Sequence, residues 1–121
     1  MRTAASFEID YIQYLGEDGR RVREDLPALA HDREALVALL KQMLLVRAFD
    51  TKAVALQRTG KLGTYASCLG HEATHVGIGS AMRPEDVLAP SYREYGAQFA
   101  RGVLPREVLL SWGGDKRGND F

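Results

Sequence analysis

Apolar residues recur at spacings of three and four through the middle of the chain, which is the periodicity of an amphipathic helix. They are Leu36, Leu39, Leu40, Met43, Leu44 and Val46, and the pattern continues through Phe49, Ala53 and Leu56. Asp32 suits the N-cap, Glu34 would lie in the first turn, and Thr59-Gly60 would end the helix after Arg58. Because the apolar stripe is wide, we expect this helix to pack into a larger body and to promote oligomerisation.

Three shorter helices are predicted farther along the chain. They run from near His71 to Met82, from Tyr92 to Arg101 and from Pro105 to about Trp112. Gly77 and Gly79 each weaken the first of these by up to about 1 kcal/mol relative to alanine. The same two glycines would allow another helix to approach closely.

Extended structure is predicted in two places. Residues Phe7–Leu15 show partial apolar/polar alternation, and a Gly-Glu-Asp-Gly turn then allows Arg20–Val22 to pair back as a short hairpin or extended arm. Val87–Ala89 is predicted to be a short buried strand that Pro90-Ser91 ends.

The fold is therefore expected to be predominantly α, with about four helices, an N-terminal arm or hairpin and one short strand. We divide the chain into an arm and connector at residues 1–31 and a helical part at residues 32–121. The polar, glycine-rich tail at residues 113–121 is expected to be a loop that leads into further chain.

Composition excludes several classes of function. Sixteen basic residues balance sixteen acidic ones, so no strong field attracts nucleic acid or an anionic membrane. No stretch has the roughly 18 apolar residues that a membrane span needs. The single cysteine, Cys68, fits a reducing compartment, and the N-terminus lacks a signal-peptide pattern. These features favour the cytoplasm.

One motif matches the zinc-protease signature, because His71-Glu72-Ala73-Thr74-His75 is a literal H-E-x-x-H. Two histidines at i and i+4 could bind zinc, and Glu72 could polarise a metal-bound water. The glycines around the motif argue against a rigid metal-binding helix, so a zinc hydrolase is the weaker hypothesis. Two helix-surface or interface histidines are the simpler interpretation.

A second candidate is Tyr92-Arg93-Glu94, which follows the predicted strand and its Pro-Ser break. Ligands of open α/β sheets bind at such strand ends. The guanidinium of Arg93 offers a planar fork of N–H donors to a phosphate, and a neighbouring helix N-terminus would add a favourable dipole. A solvated surface ion pair is the alternative interpretation.

Together these blocks resemble the alpha subunits of the decarboxylating components of the pyruvate and branched-chain 2-oxo acid dehydrogenase complexes. The resemblance covers nearly the whole chain, and its blocks occur in the family's order. They are Arg47-Ala48-Phe49-Asp50, Gln57-Arg58-Thr59-Gly60-Lys61, Gly70-His71-Glu72-Ala73, Tyr92-Arg93-Glu94-Tyr95-Gly96 and Trp112-Gly113-Gly114-Asp115. His71 departs from the pattern, because the family usually has Gln or Glu there. That departure is what creates the zinc-protease signature.

The resemblance implies the N-terminal portion of an α/β thiamine-diphosphate-binding fold. It implies decarboxylation of a 2-oxo acid and transfer of the acyl group to a lipoyl-bearing acyltransferase, with thiamine diphosphate and Mg²⁺ as cofactors and a beta subunit as partner. Tyr92 and Arg93 match the pair that contacts the cofactor's diphosphate, and Tyr65 lies in a loop that could face the active-site channel. Arg47 and Asp50 are interpreted as structural partners, and no catalytic residue is assigned. A non-catalytic helical module that self-associates is the alternative.

The family's metal-binding Gly-Asp-Gly stretch does not occur in these 121 residues. Without a metal, Tyr92, Arg93 and backbone groups alone should bind a diphosphate weakly. We therefore expect the purified 121-residue chain to show no thiamine-dependent turnover by itself. An assay that detected such turnover would contradict this expectation.

Overall fold

The computed structural model describes residues 3–119, and the chain forms two compact units, residues 1–33 and 34–121. Four α-helices are present in the described part: α1 (Arg33–Arg58), α2 (Glu72–Ala81), α3 (Tyr95–Ala100) and α4 (Pro105–Trp112). Short 3-10 helices lie at Ala28–His31 and Lys116–Asn119. Residues 3–119 contain no strand beyond an isolated bridge, and no helix among them is long and apolar enough to cross a membrane. The predominantly α prediction is confirmed.

The first unit contains a tight turn where a hairpin was predicted. A single antiparallel bridge joins Leu15 to Arg21, and the amide of Gly16 donates to the carbonyl of Arg20 at 2.8 Å. Phe7 and Ile9 are more than four-fifths exposed, at 83% and 84%. With no buried face to hold two strands together, the pairing ends after one bridge.

Helix α1 is the longest element, with 26 residues, and it supplies one wall of the core of the second unit. Its buried face carries Val46, Phe49, Asp50 and Ala53. A second apolar ridge on the same helix is exposed, with Leu36, Leu40 and Leu44 at 43%, 52% and 59% exposure. The wide stripe seen in the sequence is thus two faces, of which one is buried within the described chain. Oligomerisation through the other face stays a prediction.

Three of the helices end in the same hydrogen-bonded motif. In α1, the amide of Gly60 donates to the carbonyl of Gln57, and the amide of Lys61 donates to that of Leu56. This is the Schellman pattern, which needs a left-handed residue, and Gly60 has φ +73°. The ends of α3 and α4 repeat it with Gly102 and Gly114. The stop predicted at Thr59-Gly60 is therefore confirmed.

The core of the second unit is small and aromatic. The ring of Phe49 meets the rings of Tyr95 and Phe99 edge to face, with centroids 5.4 and 5.0 Å apart. Tyr65 stacks on Tyr95 at 5.6 Å and meets Trp112 at 5.8 Å. These contacts join α1, α3, α4 and the irregular segment 65–68 into one cluster, since aromatic pairs favour these offset and edge-on geometries.

Helices α2 and α3 approach closely through glycines. A Cβ built on Gly79 would lie 2.7 Å from Ala100 Cβ and 2.8 Å from the backbone of Ala97. On the opposing helix, a Cβ on Gly96 would lie 2.7 Å from His75 Cβ. Gly77 has open space around it. The prediction of close helix approach is thus correct for Gly79 and wrong for Gly77.

Two predicted elements differ from the structure. Val87–Ala89 forms no strand, because no partner strand lies beside it in the described chain and Val87 is 89% exposed. The tail at 113–119, predicted to be a loop, contains a turn and the 3-10 helix Lys116–Asn119. The tail prediction for residues 120–121 lies outside the described residues, as does the part of the N-terminal prediction that falls on residues 1–2.

The two glycines of α2 provide a matched test of the close helix contact. Gly79→Ala should lower the free energy of unfolding by about 1–3 kcal/mol, because the new methyl meets backbone atoms of α3. Gly77→Ala should leave stability unchanged or raise it by up to about 1 kcal/mol through helix propensity. Urea unfolding followed by circular dichroism measures both, and equal effects of the two changes would contradict the packing described.

Candidate cofactor site at the turn before α3

Residues 91–94 form a turn that the carboxylate of Glu94 holds together. One oxygen of this carboxylate accepts the amides of Ser91 at 2.9 Å and Arg93 at 3.2 Å. The amide of Tyr95 donates to the carbonyl of Arg93 at 2.8 Å, and α3 begins at Tyr95. The predicted helix start at Tyr92 is therefore wrong, because the Glu94 side chain stabilises a turn there instead. The resulting helix has only six residues, so its dipole adds little.

The side chains of Tyr92 and Arg93 are in contact with each other, and their role at a diphosphate stays a prediction. One Nη of Arg93 donates to the hydroxyl of Tyr92 at 3.3 Å, and the guanidinium carbon lies 4.9 Å from the centroid of the Tyr92 ring. The other Nη donates to the backbone carbonyl of Ser67 at 3.2 Å. Two of the five N–H groups of the guanidinium are thus engaged, and Tyr92 is 56% exposed. The pair thus forms an ordered donor group whose remaining guanidinium N–H groups could donate to an anionic ligand.

The segment 65–68 that supports Arg93 is itself held by Asp50, a buried carboxylate on α1. One oxygen of Asp50 accepts the hydroxyl of Tyr65 and the amide of Cys68, each at 2.8 Å. The other oxygen accepts the hydroxyl of Ser67, also at 2.8 Å. Three hydrogen bonds stabilise the carboxylate at a position that is only 3% exposed. This network fixes an irregular segment against the helix.

Tyr65, predicted to face a cofactor channel, lies within this network. Its hydroxyl donates to Asp50, and its ring stacks on Tyr95. Burial, followed by the bond to Asp50, raises the pKa of Tyr65 well above its usual range. The hydroxyl is thus a neutral donor committed to Asp50, and a direct role of Tyr65 at the cofactor stays a prediction.

Tyr95 supports the turn at residues 91–94 from the protein interior. Its hydroxyl lies 2.8 Å from the carbonyl of Tyr92 and 3.0 Å from that of Ala66, so it bridges the turn and the segment 65–68. The side chain is 2% exposed, and this burial raises the pKa of Tyr95. A cavity of about 220 Å³ adjoins it, walled in part by Tyr92, Tyr95 and Trp112.

Cys68 follows Ser67 and is completely buried. Burial raises the pKa of its thiol to about 12, and the nearby charge of Asp50 adds to this effect. A thiol in such surroundings stays protonated and unreactive at neutral pH. Cys68 is therefore a packing residue and not a nucleophile.

The residues of the H-E-x-x-H motif have other contacts. Arg47 Nε donates to one oxygen of Glu72 at 2.5 Å, and the amide of Gly70 donates to the other at 3.0 Å. The bond to Arg47 is the main cause that lowers the pKa of Glu72 to about 2. The rings of His71 and His75 lie 5.2 Å apart, but residues 3–119 hold no group of three or more side chains placed to bind a metal. With Glu72 committed to these partners, the zinc hydrolase is not favoured.

His75 occupies the contact between α2 and α3. It is 4% exposed, and its Nδ1 has no hydrogen-bond partner among residues 3–119. Burial is the main cause that lowers the pKa of His75, and His71 and Arg93 lower it further, while Glu94 and Glu72 oppose the shift. The neutral imidazole is thus the form that fits the folded state.

Asp50 is a structural partner, as the sequence indicates, but its link to this site through Ser67 is not predicted from the sequence. A signal for Asp50 was present, because its position falls on the same face of α1 as Val46 and Ala53. A carboxylate in a buried stripe needs donors, and these come from a distant segment. Ser67 carries no sequence signal, because its contact with Arg93 is made by a backbone carbonyl.

Comparison with known proteins identifies the family. Residues 40–120 match the family described as Dehydrogenase E1 component, which is more than half of the chain, so the chain belongs to this family. It is 38% identical over 118 residues to the 3-methyl-2-oxobutanoate dehydrogenase subunit alpha of Mycobacterium tuberculosis, with 93% of this chain covered. It is also 35% identical over 119 residues to the pyruvate dehydrogenase E1 component subunit alpha of Staphylococcus epidermidis, with 98% covered.

A third relative, the pyruvate dehydrogenase E1 component subunit alpha of Acholeplasma laidlawii, is 38% identical over 104 residues, with 85% of this chain and 30% of that protein covered. The matches cover 31% of each of the other two proteins. The chain thus spans about a third of the length of these relatives. The predicted family is confirmed.

The burial of His75 makes stability depend on pH. Its folded-state pKa lies below the ordinary 6.5, so the unfolded chain binds the proton more readily. The contribution of the neutral side chain is complete above pH 6.5 and is lost as the pH falls toward and through the folded-state pKa. Between pH 7 and pH 5, the free energy of unfolding should therefore fall, by at most about 1.4 kcal/mol per pH unit.

Urea unfolding at a series of pH values measures this dependence. His75→Gln should flatten it between pH 7 and pH 5, whereas His31→Gln, at an exposed position outside the groups that shift the pKa of His75, should retain it. The acidic groups with lowered pKa values contribute mainly at the acidic end of this window, and the comparison of the two variants removes most of that contribution. An unaltered slope in His75→Gln would refute the assignment.

Proposed function

We propose that this chain is the N-terminal part of the alpha subunit of a thiamine-diphosphate-dependent 2-oxo acid dehydrogenase. On this proposal, residues 32–121 form the helical start of the thiamine-diphosphate-binding domain, and residues 1–31 form an arm and connector. The observation that carries the proposal is the guanidinium of Arg93, which is held beside the hydroxyl of Tyr92 in a chain of this family. The family matched here and the names of its relatives support it.

Dehydrogenase E1 components depend in general on thiamine diphosphate. The residues of this chain fit one end of that cofactor, because a forked guanidinium and a phenol suit a diphosphate. Arg93 would bind the diphosphate through its remaining N–H groups, and Tyr92 would donate or accept a hydrogen bond beside it. These two side chains would contact the diphosphate and would not serve as ligands of the Mg²⁺. When bound, the cofactor would supply the electron sink for decarboxylation.

The residues around the pair would orient it. Glu94 would keep the turn closed through its bonds to the amides of Ser91 and Arg93. Tyr95 would brace the same turn by its hydrogen bonding to backbone carbonyls. Tyr65 is proposed as a further residue on the cofactor side, where its hydroxyl bond to Asp50 would support the segment 65–68.

E1 alpha subunits work in general with a beta subunit and a lipoyl-bearing acyltransferase, and we propose the same partners for this chain. The substrate is proposed to be a 2-oxo acid, and the location the cytoplasm. The names of the relatives include both pyruvate and 3-methyl-2-oxobutanoate dehydrogenases, so both acids belong in the assay. No observation favours the self-association module over this function.

The test compares Arg93→Gln with Arg106→Gln in the protein assembled with its beta subunit. Arg93→Gln should weaken thiamine diphosphate binding about 10- to 100-fold, because hydrogen bonds to a charged group are lost. Arg106→Gln should leave binding unchanged, since its side chain is exposed on α4. Calorimetry with thiamine diphosphate and Mg²⁺, followed by assays with both acids, measures the effect. Equal affinities in the two variants would rule out the proposed role of Arg93.

A further inference from the structure

We propose that Asp50 is a positioning residue for Arg93, acting across the segment 65–68 without touching the cofactor. This inference rests on the proposed function for its consequence in catalysis. Its structural half, that Asp50 fixes the orientation of Arg93, can be tested separately.

Asp50 lies on the rigid part of the unit. It sits in the C-terminal half of the 26-residue helix α1, flanked on the same face by Val46 and Ala53, which have no exposed surface. Its carboxylate is 3% exposed and accepts three hydrogen bonds. Its two oxygens are therefore fixed acceptors at a defined place.

Among residues 3–119, every donor to those oxygens comes from one short stretch of chain. Tyr65, Ser67 and Cys68 supply two hydroxyls and one backbone amide, all at 2.8 Å. The stretch has no helical or strand hydrogen bonds of its own. Its backbone is thus held by Asp50, and the direction of its carbonyl groups follows from that attachment.

Those carbonyl groups are what the turn before α3 binds. The carbonyl of Ser67 accepts Nη1 of Arg93 at 3.2 Å, and the carbonyl of Ala66 lies 3.0 Å from the hydroxyl of Tyr95. An arginine side chain has many rotamers, and ordering it costs entropy that a ligand would otherwise have to offset. Fixing Arg93 in advance therefore strengthens ligand binding without adding any contact to the ligand.

A role confined to folding would make a different prediction. If Asp50 only stabilised the unit, its loss would lower stability and leave the affinity of the folded protein unchanged. If it positions Arg93, its loss weakens binding only while Arg93 is present. The two cases separate in a double-mutant cycle.

The experiment measures the dissociation constant of thiamine diphosphate with Mg²⁺ in the protein assembled with its beta subunit. Asp50→Asn and Ser67→Ala are the positioning variants, and Ser67→Ala keeps the buried carboxylate should Asp50→Asn fail to fold. Each should raise the dissociation constant about three- to tenfold, the effect of one lost hydrogen bond. Turnover at saturating cofactor should change less than twofold. Thr51→Ala is the control, because the Thr51 hydroxyl lies beside Asp50 but donates to the carbonyl of Arg47; it should change neither quantity.

The cycle repeats Ser67→Ala in the Arg93→Gln background. In that background Ser67→Ala should raise the dissociation constant less than twofold, because no guanidinium remains to be positioned. The proposal is overturned if Ser67→Ala raises the dissociation constant by the same factor in both backgrounds. It is also overturned if Ser67→Ala leaves the dissociation constant unchanged while Arg93→Gln raises it.

Hydrogen exchange followed by mass spectrometry tests the positioning without any ligand. In Ser67→Ala, the amides of residues 65–70 and 91–95 should exchange several-fold faster, and in Thr51→Ala they should not. If Arg93→Gln leaves cofactor binding intact but exchange at 91–95 responds to Ser67→Ala, the proposed function fails and the positioning stands. If exchange at 91–95 does not respond, the positioning fails whatever the cofactor does.

Discussion

The second unit depends on one buried carboxylate. An ionised group inside a protein is costly unless donors surround it, and Asp50 meets three. All three come from residues 65–68, so the requirement of one side chain determines the course of an irregular segment. Backbone carbonyls of that segment accept hydrogen bonds from Arg93 and from Tyr95, which supports the turn before α3. A polar network thus orders a site that apolar packing alone would leave loose.

A second constraint is the close approach of α2 and α3, which depends on the absence of side chains at Gly79 and Gly96. The contact places the imidazole of His75 in the interior with one nitrogen unpartnered. The turn that carries Arg93 lies at the start of the same short helix, so the packing of α3 and the geometry of the turn are joined. The core supports this region through the contacts of Phe49 and Tyr95.

The sequence predicted the helices well because their ends carry local signals. Gly60, Gly102 and Gly114 each end a helix in a left-handed conformation, and Pro105 begins one. It failed at Val87–Ala89, because a strand needs a partner that no local pattern shows. The pair Tyr92 and Arg93 could be found as a motif. Asp50 could be interpreted as a structural partner, but the groups that bind it could not be predicted, since they lie 15 or more residues away and include a backbone amide.

The burial of Cys68 gives this network its own reporter. The amide of this residue is tied to Asp50, and its sulfur has no exposed surface and a pKa of about 12. An alkylating reagent can reach the sulfur only during moments when the 65–68 segment leaves the helix. The rate of labelling therefore counts local openings, and its dependence on denaturant separates partial from complete unfolding. The only thiol in the sequence thus reports, without any introduced probe, how often the segment 65–68 that supports Arg93 opens.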